Sequence, residues 1–251
     1  MRKSVIPKII HYCWFGDNPL PDLAKKCIES WKKYCPDYEI KEWNDSNIDI
    51  KLIKNKYLQQ AYEAKKWAFV SDYIRLYIIY NYGGVYFDTD VEVIKNIDEF
   101  LKYDAFFAKE NNEQFNTGIG FGAIPKNLLV KKMLDEYKNI EFNSGNSYDL
   151  TPCPIRNTKV IDSFFGKIDF EDKKVIDNVC LLSKEYFCPI DYETNIMNIS
   201  NNTYTIHHFS QSWLRPYDKV KVFIKRILFR CFGKKKVKSI IKRVKKTFRK
   251  E

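Results

Sequence analysis

Several features that mark common functional classes are missing from this chain of 251 residues. The seven cysteines form no CxxC pair and their number is odd, which makes a zinc site and a disulfide framework poor explanations. No apolar stretch reaches the length of a membrane span, and the N-terminus lacks the apolar core and cleavage site of a signal peptide. Internal repeats and low-complexity tracts are also absent. We therefore expect one cytosolic domain with reduced thiols and an appendage.

The net charge of +11 is distributed unevenly along the chain. From Leu214 onward, 16 of the 43 Lys and Arg residues are found with only two acids, which leaves 27 basic and 30 acidic residues before that point. The body is thus close to −3 and the tail to +14. This asymmetry predicts a basic tail, residues 216–251, on a near-neutral domain, residues 1–215. A basic face on the fold is not indicated, and we expect no nucleic-acid partner.

The order of periodic segments in the first part of the chain predicts a parallel sheet covered by helices. Residues 5–16 are apolar and β-branched like a buried strand, 20–36 carry apolar residues at helical spacing, and 38–45 alternate like a strand. A βαβ unit of this kind is typical of an α/β fold. Further along we expect one helix or two abutting helices in 57–82, strands in 85–93, 104–110 and 118–124, a helix in 125–138 opened by Pro125, a loop in 144–154, and strands in 179–190 and 204–210.

Residues 83–93, GGVYFDTDVEV, contain two aspartates separated by a single residue shortly after two glycines. Glycine adopts the positive φ that ends a helix, so Gly83 and Gly84 should stop the preceding helix abruptly. On an extended strand, residues i and i+2 share a face, and Asp88 and Asp90 should then point the same way at the carboxyl end, where open α/β sheets bind ligands. Two carboxylates this close favour a divalent cation, and oxygen ligands suit Mg²⁺ or Mn²⁺. A solvated turn is the alternative.

A charged pair also lies in the helical segment before the glycines. Asp72 and Arg75 are three residues apart and so share a helix face, while their neighbours are apolar. Such a pair is either a buried structural ion pair or a pair that reaches a ligand.

The segment WAFVSDYIRLYIIYNYGGVYFDTD is more specific than its parts, and IPKIIHYCWFG, YEIKEWND and IHHFSQSW accompany it in order. Together they resemble the DXD-containing glycosyltransferases of family 32. This bacterial capsular-polysaccharide and α-mannosyl/galactosyl transferase group is related to the catalytic domain of the large clostridial glucosylating toxins. The resemblance implies a GT-A fold, an α/β nucleotide-binding sandwich with a mixed central sheet. It also implies a UDP- or GDP-linked sugar donor, Mn²⁺ or Mg²⁺, a glycan acceptor, and retention of the anomeric configuration.

The resemblance further implies roles for individual residues. Asp72 and Arg75, in one motif with Ser71, would hold hydroxyls of the donor sugar, Asp90 would ligate the metal, and Asp88 would contact the metal shell, ribose or sugar. These two pairs are the predicted catalytic residues. The other expected contacts are Tyr86 at the sugar or phosphate, Trp14 stacked on the base, Asn116 at the sugar or acceptor, His207 or its neighbour His208 as a late metal ligand with His207 favoured, and Ser212 and Trp213 in a loop over the diphosphate.

The tail carries apolar residues at steps of three and four, with Lys and Arg on the other face. This pattern predicts basic amphipathic helices that lie on an anionic membrane surface. A lipid-linked glycan acceptor at the inner face of the cell membrane would fit such a tail. A solvated helix packed on the body and an RNA-binding tail are the alternatives. The apolar positions are Val220, Phe223, Ile224, Ile227, Leu228, Cys231, Val237, Ile240, Ile241, Val244 and Phe248.

Two other classes contain comparable acidic motifs. A haloacid-dehalogenase-type phosphohydrolase has a DxD at a strand end, but its following residues do not match DTDVEV. A calcium-binding EF-hand would take its ligands from Asp88, Asp90, Glu92 and Glu99, yet its sixth loop position is Val93 where glycine is needed for the turn. We keep both as alternative functions.

Overall fold

The computed structural model describes residues 5–145, 147–210, 216–234, 236–237 and 239. The chain forms two compact units. The first, unit 1, comprises the residues up to Pro189 and Ile199–His208, and the second, unit 2, comprises Ile190–Asn198 and the chain from Phe209 onward. The boundary that the charge distribution predicts at residue 215 stays a prediction.

Unit 1 begins with the predicted βαβ arrangement. Its first elements are β1 (Ile9–Cys13), α1 (Asp22–Tyr34), β2 (Glu39–Trp43), α2 (Lys56–Glu63), α3 (Trp67–Tyr82) and β3 (Gly84–Tyr86). The segment 57–82 therefore forms two helices, which meet near Lys65, a residue with φ of 53°. The other elements are β4 (Val91–Val93), β5 (Ala105–Ala108), β6 (Phe121–Ala123), α4 (Leu128–Asp135), α5 (Cys153–Phe165), β7 (Lys173–Ile176), β8 (Val179–Leu182), α6 (Lys184–Phe187) and β9 (Thr205–His207).

Seven strands form one mixed sheet in the order β2-β1-β3-β6-β5-β8-β7. Strand β1 pairs in parallel with both β2 and β3, whereas β6 is antiparallel to its neighbours β3 and β5. The chain thus leaves β1 for β2 on one side and returns for β3 on the other. This reversal is a topological switch point, where open α/β sheets bind their ligands at the carboxyl ends of the strands. The predicted α/β class with a mixed central sheet is confirmed.

The prediction of a single strand in 85–93 is wrong. Strand β3 ends at Tyr86, residues 89–90 form a turn, and β4 belongs to a separate two-stranded antiparallel sheet with β9. Asp88 and Asp90 consequently lie in the connection between two sheets and not on one extended strand. Their position just beyond the carboxyl end of β3 agrees with the prediction.

Several other boundaries differ from the predicted ones. Helix α4 begins after Asn127, whose side chain accepts hydrogen bonds from two backbone N–H groups of the first turn, so this residue and not Pro125 opens the helix. The expected strand 179–190 ends at Leu182 and is followed by the short α6. Helix α5 and strand β7 have no counterpart in the predicted elements.

The two glycines act as predicted at the end of α3. Gly83 has φ of 68° and Gly84 has φ of 99°, and the Gly83 N–H donates to the Ile79 carbonyl at 2.9 Å. Both conformations are in the region that favours glycine. A Cβ atom at Gly84 would also lie 2.8 Å from the Ile9 carbonyl oxygen. Helix α3 and the central strand β3 are therefore separated by a single residue, Gly83.

His11, for which no role was predicted, stabilises this turn through a hydrogen bond to Gly83. The ring is fully buried in β1, and its Nε2 lies 2.9 Å from the Gly83 carbonyl oxygen. The Trp43 indole N–H donates to its Nδ1 at 3.0 Å. Because Nδ1 accepts, Nε2 must carry the proton and donate, which makes the imidazole neutral. Burial is the main reason that the pKa of His11 falls to about 4.

Unit 2 contains helix α7 (Pro216–Phe232) and the segment Ile190–Asn198. Within the described ranges, no helix combines the length and apolar character needed to cross a membrane. The second amphipathic helix predicted in the tail falls largely outside the described residues.

Candidate active site

The site lies where β1 and β3 end at the same edge of the central sheet. The two strands are in parallel register, with His11 opposite Tyr86, so that Trp14 and Asp88 follow at the same edge. The Asp88 N–H donates to the Gly118 carbonyl at 2.9 Å, which ties the connection after β3 to the chain that enters β6. Segments from three parts of the sequence therefore meet at the switch point.

An arginine cluster, formed by Asp72, Arg75, Tyr86 and Asp88, occupies one half of the site. The Arg75 Nη2 atom lies 3.0 Å from Oδ1 of Asp72 and 2.9 Å from Oδ1 of Asp88. The Tyr86 hydroxyl donates to the same Asp88 oxygen at 3.1 Å. The Arg75 side chain is only 4% exposed, whereas that of Asp88 is 29% exposed. The guanidinium is thus a buried positive charge whose partner carboxylate faces partly outward.

The electrostatics of this half are unbalanced. Burial raises the pKa of Asp72, although Arg75 beside it acts in the opposite direction. The pKa of Asp88 likewise rises to about 6, because burial and, to a smaller extent, the neighbouring Asp90 outweigh the opposing effect of Arg75. Two carboxylates, Asp72 and Asp88, share one guanidinium, which leaves negative charge uncompensated, and a cation would relieve it.

The far wall of the arginine cluster comes from α5 and from the chain before β6. Arg75 Nη1 donates to the Cys153 sulfur at 3.6 Å, and the Cys153 thiol lies 3.5 Å from Asn116 Oδ1. The Gly118 N–H also donates to Asn116 Oδ1, at 2.6 Å. Asn116 is therefore held beside the guanidinium. Its predicted contact with the sugar or acceptor stays a prediction. Cys153 also belongs to the site, but it was not predicted from the sequence. The prolines at 152 and 154 could have indicated that a helix begins at this position.

Gly118 lies close to both Asp88 and Arg75. A Cβ atom there would lie 2.3 Å from Asp88 Oδ2 and 2.9 Å from Arg75 Nη1. Only a residue without a side chain fits between the carboxylate and the guanidinium at this position.

A metal corner, formed by Asp88, Asp90 and His207, occupies the other half. One ligand atom of each residue lies within 4.8 Å of the corresponding atoms of the others. The pairing of Val91 with His207 in the β4–β9 sheet and the hydrogen bond from the His208 N–H to the Asp90 carbonyl at 3.0 Å set this geometry. Two carboxylates and one imidazole are ligands that Mn²⁺ accepts, and the carboxylates suit Mg²⁺. The group could hold one divalent ion, as the acidic pair predicted.

The second imidazole of the HisHis pair serves another purpose. His208 Nε2 lies 2.8 Å from Glu92 Oε2, and Lys26 Nζ lies 3.2 Å from the same oxygen. Adjacent strand residues point to opposite faces, so only His207 turns towards the acidic pair. Burial acts to lower the pKa of His207, but Asp90 and the Cys188 thiol outweigh burial and raise that pKa well above its ordinary value. A bound ion would have to displace that proton.

Strand β4 pairs with β9 along one edge, and helix α1 packs along its other edge, next to the metal corner. The Trp31 indole N–H donates to the Val91 carbonyl at 2.7 Å, and the Val93 N–H donates to the Ser30 hydroxyl at 2.9 Å. Trp31 is fully buried. Two side chains of a helix thus satisfy the backbone groups that a third strand would otherwise pair with.

The remaining predicted residues have different surroundings. Trp14 is half-buried just after β1, and its indole N–H donates to the Asn18 carbonyl at 2.5 Å. Ser71 contributes its backbone carbonyl to Arg75 Nε at 3.2 Å. Ser212 and Trp213 lie outside the described residues.

Residues 21–107 match the sequence model of a family described as a glycosyltransferase sugar-binding region containing a DXD motif. The match covers about a third of the chain and includes the arginine cluster together with Asp90.

Relatives with glycosyltransferase names support the same class. Inositol phosphoceramide mannosyltransferase 3 of Schizosaccharomyces pombe is 31% identical over 115 residues, which are 42% of this chain and 30% of that protein. The uncharacterized glycosyltransferase L373 of Acanthamoeba polyphaga mimivirus is 23% identical over 226 residues, 87% of this chain and 88% of the viral protein. The chain spans about a third of the length of the fungal relatives it matches.

A solved structure, the PaToxG glycosyltransferase, shares the fold. It has a TM-score of 0.54 and 21% sequence identity, with 64% of this chain and 71% of that chain covered. The fold is GT-A, as the resemblance implied, and the family match and the named relatives support a transferase. Strands flank the acidic pair here, whereas an EF-hand loop requires helices on both sides.

Proposed function

We propose that the chain is a metal-dependent retaining glycosyltransferase that moves a hexose from a UDP- or GDP-linked donor to a glycan acceptor. The observation that carries the proposal is the position of the metal corner beside a buried arginine cluster at the switch point of the sheet. A donor has a diphosphate that needs a cation and sugar hydroxyls that need charged hydrogen-bonding partners, and both kinds of group meet here.

The chain's own residues divide this work. Asp72 and Arg75, with Asn116 beside them, bind and orient the sugar hydroxyls, and burial fixes the guanidinium so that little order is lost on binding. Asp90, Asp88 and His207 hold the divalent ion, which when bound neutralises charge that builds on the leaving diphosphate. Trp14, at the end of β1, shields one face of the nucleotide base.

No side chain is assigned as general base. In the front-face reaction inferred for similar retaining transferases, the acceptor oxygen forms the new bond to the anomeric carbon as the bond to the diphosphate breaks. The departing phosphate oxygen takes the acceptor's proton. The residues around the site then need only position the two substrates and stabilise the charge that leaves.

The acceptor and the location belong to the same proposal. The fungal relatives are named for mannosyl transfer to inositol phosphoceramide, which favours a hexose donor and an acceptor carried by a lipid. A lipid-linked glycan at the inner face of the cell membrane, used in capsule or other surface-glycan synthesis of the family 32 type, fits this chemistry and the basic tail.

A panel of nucleotide sugars tests the proposal without knowledge of the acceptor. We expect Mn²⁺-dependent hydrolysis of one UDP- or GDP-linked hexose, abolished by EDTA. Thermal stabilisation by Mn²⁺ with UDP or GDP should accompany it, whereas stabilisation by Ca²⁺ alone would favour a calcium-binding module. Turnover of a phosphomonoester, with no nucleotide-sugar activity, would replace the proposal with a phosphohydrolase.

A further inference from the structure

Helix α7 in unit 2 exposes its apolar face. The apolar side chains recur at steps of three and four, the spacing that places them in one stripe along a helix. The five Val, Phe, Ile and Leu side chains among them are between 37% and 63% exposed, although side chains of this kind are ordinarily buried. We call this set the α7 stripe: Val220, Phe223, Ile224, Ile227, Leu228 and Cys231.

The other face of α7 is engaged within unit 2. Arg226 Nε donates to the Tyr192 carbonyl at 3.1 Å, and Arg230 Nε and Nη2 donate to the carbonyls of Thr194 and Asn195 at 2.6 Å and 2.9 Å. These bonds hold the segment 190–198 against α7 along the edge that carries the two arginines. The face opposite the stripe carries Phe229, which is only 2% exposed, so the stripe is the exposed apolar face of this helix.

Basic side chains border the stripe on both flanks. By helical position, Lys221 and Lys225 lie along one edge and Lys219 along the other, and all three residues are exposed. The helix carries one acid, Asp218, against five Lys and Arg residues. An apolar stripe between two rows of positive charge is the pattern of a helix that lies flat in an anionic bilayer surface.

We propose that the α7 stripe is a membrane-docking surface, and that its occupant is the headgroup and acyl boundary of an anionic bilayer. The apolar side chains enter the boundary while the flanking lysines reach lipid phosphates, so that burial and charge act together. A second copy of the chain is a poorer occupant, because pairing two stripes would bring four rows of like charge together. The inference rests on the proposed function for its lipid-linked acceptor, although the docking surface itself does not depend on catalysis.

Flotation of the full chain with lipid vesicles tests the docking surface. We expect the chain to float with vesicles of phosphatidylcholine and phosphatidylserine, and much less with phosphatidylcholine alone. The double substitution Phe223→Ser and Ile227→Ser should reduce partitioning at least tenfold, since two large apolar contacts are lost. Replacement of Lys219, Lys221 and Lys225 by Gln should cost about fivefold for each charge, and raised salt should imitate it.

A matched control removes similar apolar surface elsewhere. Leu52 and Leu128 are 78% and 61% exposed in unit 1, and their replacement by Ser should leave flotation unchanged. An unmodified chain that fails to float, or a stripe variant that floats as well as the original, would overturn the inference. So would a dimer, measured by light scattering, that only the stripe variant loses, because the occupant would then be a second copy.

The same samples separate this inference from the proposed function. Metal-dependent hydrolysis of a nucleotide sugar in solution should be equal in the stripe variant, the control and the original chain, and this equality also shows that all three are folded. Flotation without any hydrolysis would keep the docking surface and reject the transferase. Hydrolysis without flotation would keep the transferase and reject the docking surface.

Discussion

The two aspartates of the acidic pair are separated by a single residue in sequence and occupy different surroundings. Asp88 belongs to the arginine cluster, where a guanidinium and a tyrosine hydroxyl already bind one of its oxygens. Asp90 faces an imidazole across a two-stranded sheet, with Oδ1 3.3 Å from His207 Nε2. The turn between β3 and β4 places Asp88, which belongs to both halves of the site, beside the guanidinium, and places Asp90 beside the imidazole.

The difference shows which elements position the residues of each half. The arginine cluster is held by helix α3 and the strand that follows it, so its charges are arranged by neighbours in sequence. The metal corner depends on β9 and on side chains of α1, which are far from Asp90 along the chain. Substitutions should therefore affect sugar contacts and ion binding separately, and the following experiments test that separation.

Replacement of Asp90 by Asn should have the largest effect. The amide removes one anionic ligand and leaves the size of the side chain unchanged, so the ion loses a main contact. We expect about a thousandfold loss of nucleotide-sugar hydrolysis, equivalent to about 4 kcal/mol of barrier. Circular dichroism should show an unchanged fold. A variant that keeps near-normal turnover in EDTA would refute the role of the ion.

Gly118→Ala should damage the arginine cluster next most strongly. The added methyl would lie 2.3 Å from Asp88 Oδ2, so the carboxylate or the loop must move. A displacement of this size at reacting groups costs about a hundredfold in rate. Gly145→Ala is the control: it also loses a glycine, at φ of 88°, but meets no atom within 4 Å. Gly118 has no positive φ, so Gly118→Ala introduces the collision without backbone strain, whereas Gly145→Ala introduces strain without a collision. Equal losses of activity in both variants would show that the collision with Asp88 is not the cause.

The two adjacent histidines allow a matched comparison of ion binding. His207→Ala should raise the Mn²⁺ concentration for half-maximal hydrolysis at least tenfold, because one ligand of the metal corner is lost. His208→Ala should leave that concentration close to the original, since His208 pairs with Glu92. If the second variant has the larger requirement for Mn²⁺, the assignment of the ligand is wrong.

Two tryptophans test whether α1 positions the metal corner. Trp31→Phe keeps most of the ring but removes the hydrogen bond to Val91, next to Asp90. We expect about 1 kcal/mol loss of unfolding free energy and a severalfold higher Mn²⁺ requirement. Trp43→Phe removes a bond of similar length to His11 and should change stability alone. An Mn²⁺ requirement that rises equally in both variants would indicate a general loosening of unit 1.

The smallest effect on turnover should come from His11, because its contribution is to folding stability. Its pKa is about 4 in the folded chain and near 6.5 when unfolded, so the unfolded state takes up the proton first as pH falls. The stabilising contribution is complete above pH 6.5 and is lost progressively towards pH 4, by about 1.4 kcal/mol per pH unit. Urea unfolding at several pH values should show a steeper dependence for the original chain than for His11→Gln. Identical slopes would contradict the depressed pKa.

The parts of the site that sequence predicted are those set by local geometry. Asp72 and Arg75 share a face because three residues nearly complete a helical turn, and the positive φ at Gly83 follows from the end of a helix. Both can be read within about ten residues. The sequence alone therefore predicts that a helix, two glycines and a strand place Asp88 at the edge of the sheet.

The rest depends on partners that lie far away in sequence. Glu92 and His208 are 116 positions apart, and nothing local to Asp90 shows that the strand must leave the central sheet to pair there. Period-two alternation in 85–93 is the same for one long strand and for two short ones in different sheets. Cys153 was missed for a similar reason, since a buried cysteine is ordinarily a packing residue and its neighbours in space are Arg75 and Asn116.

The pairing of β4 with β9 also bears on when the protein can first act during its synthesis. Translation runs from the amino end, and β9 is the last strand described, so the ribosome has produced nearly all of unit 1 before His207 exists. Until then a nascent chain has the two acids and the buried guanidinium but lacks the third ligand. If the three residues hold an ion as we propose, its capture would have to wait until β9 has been made.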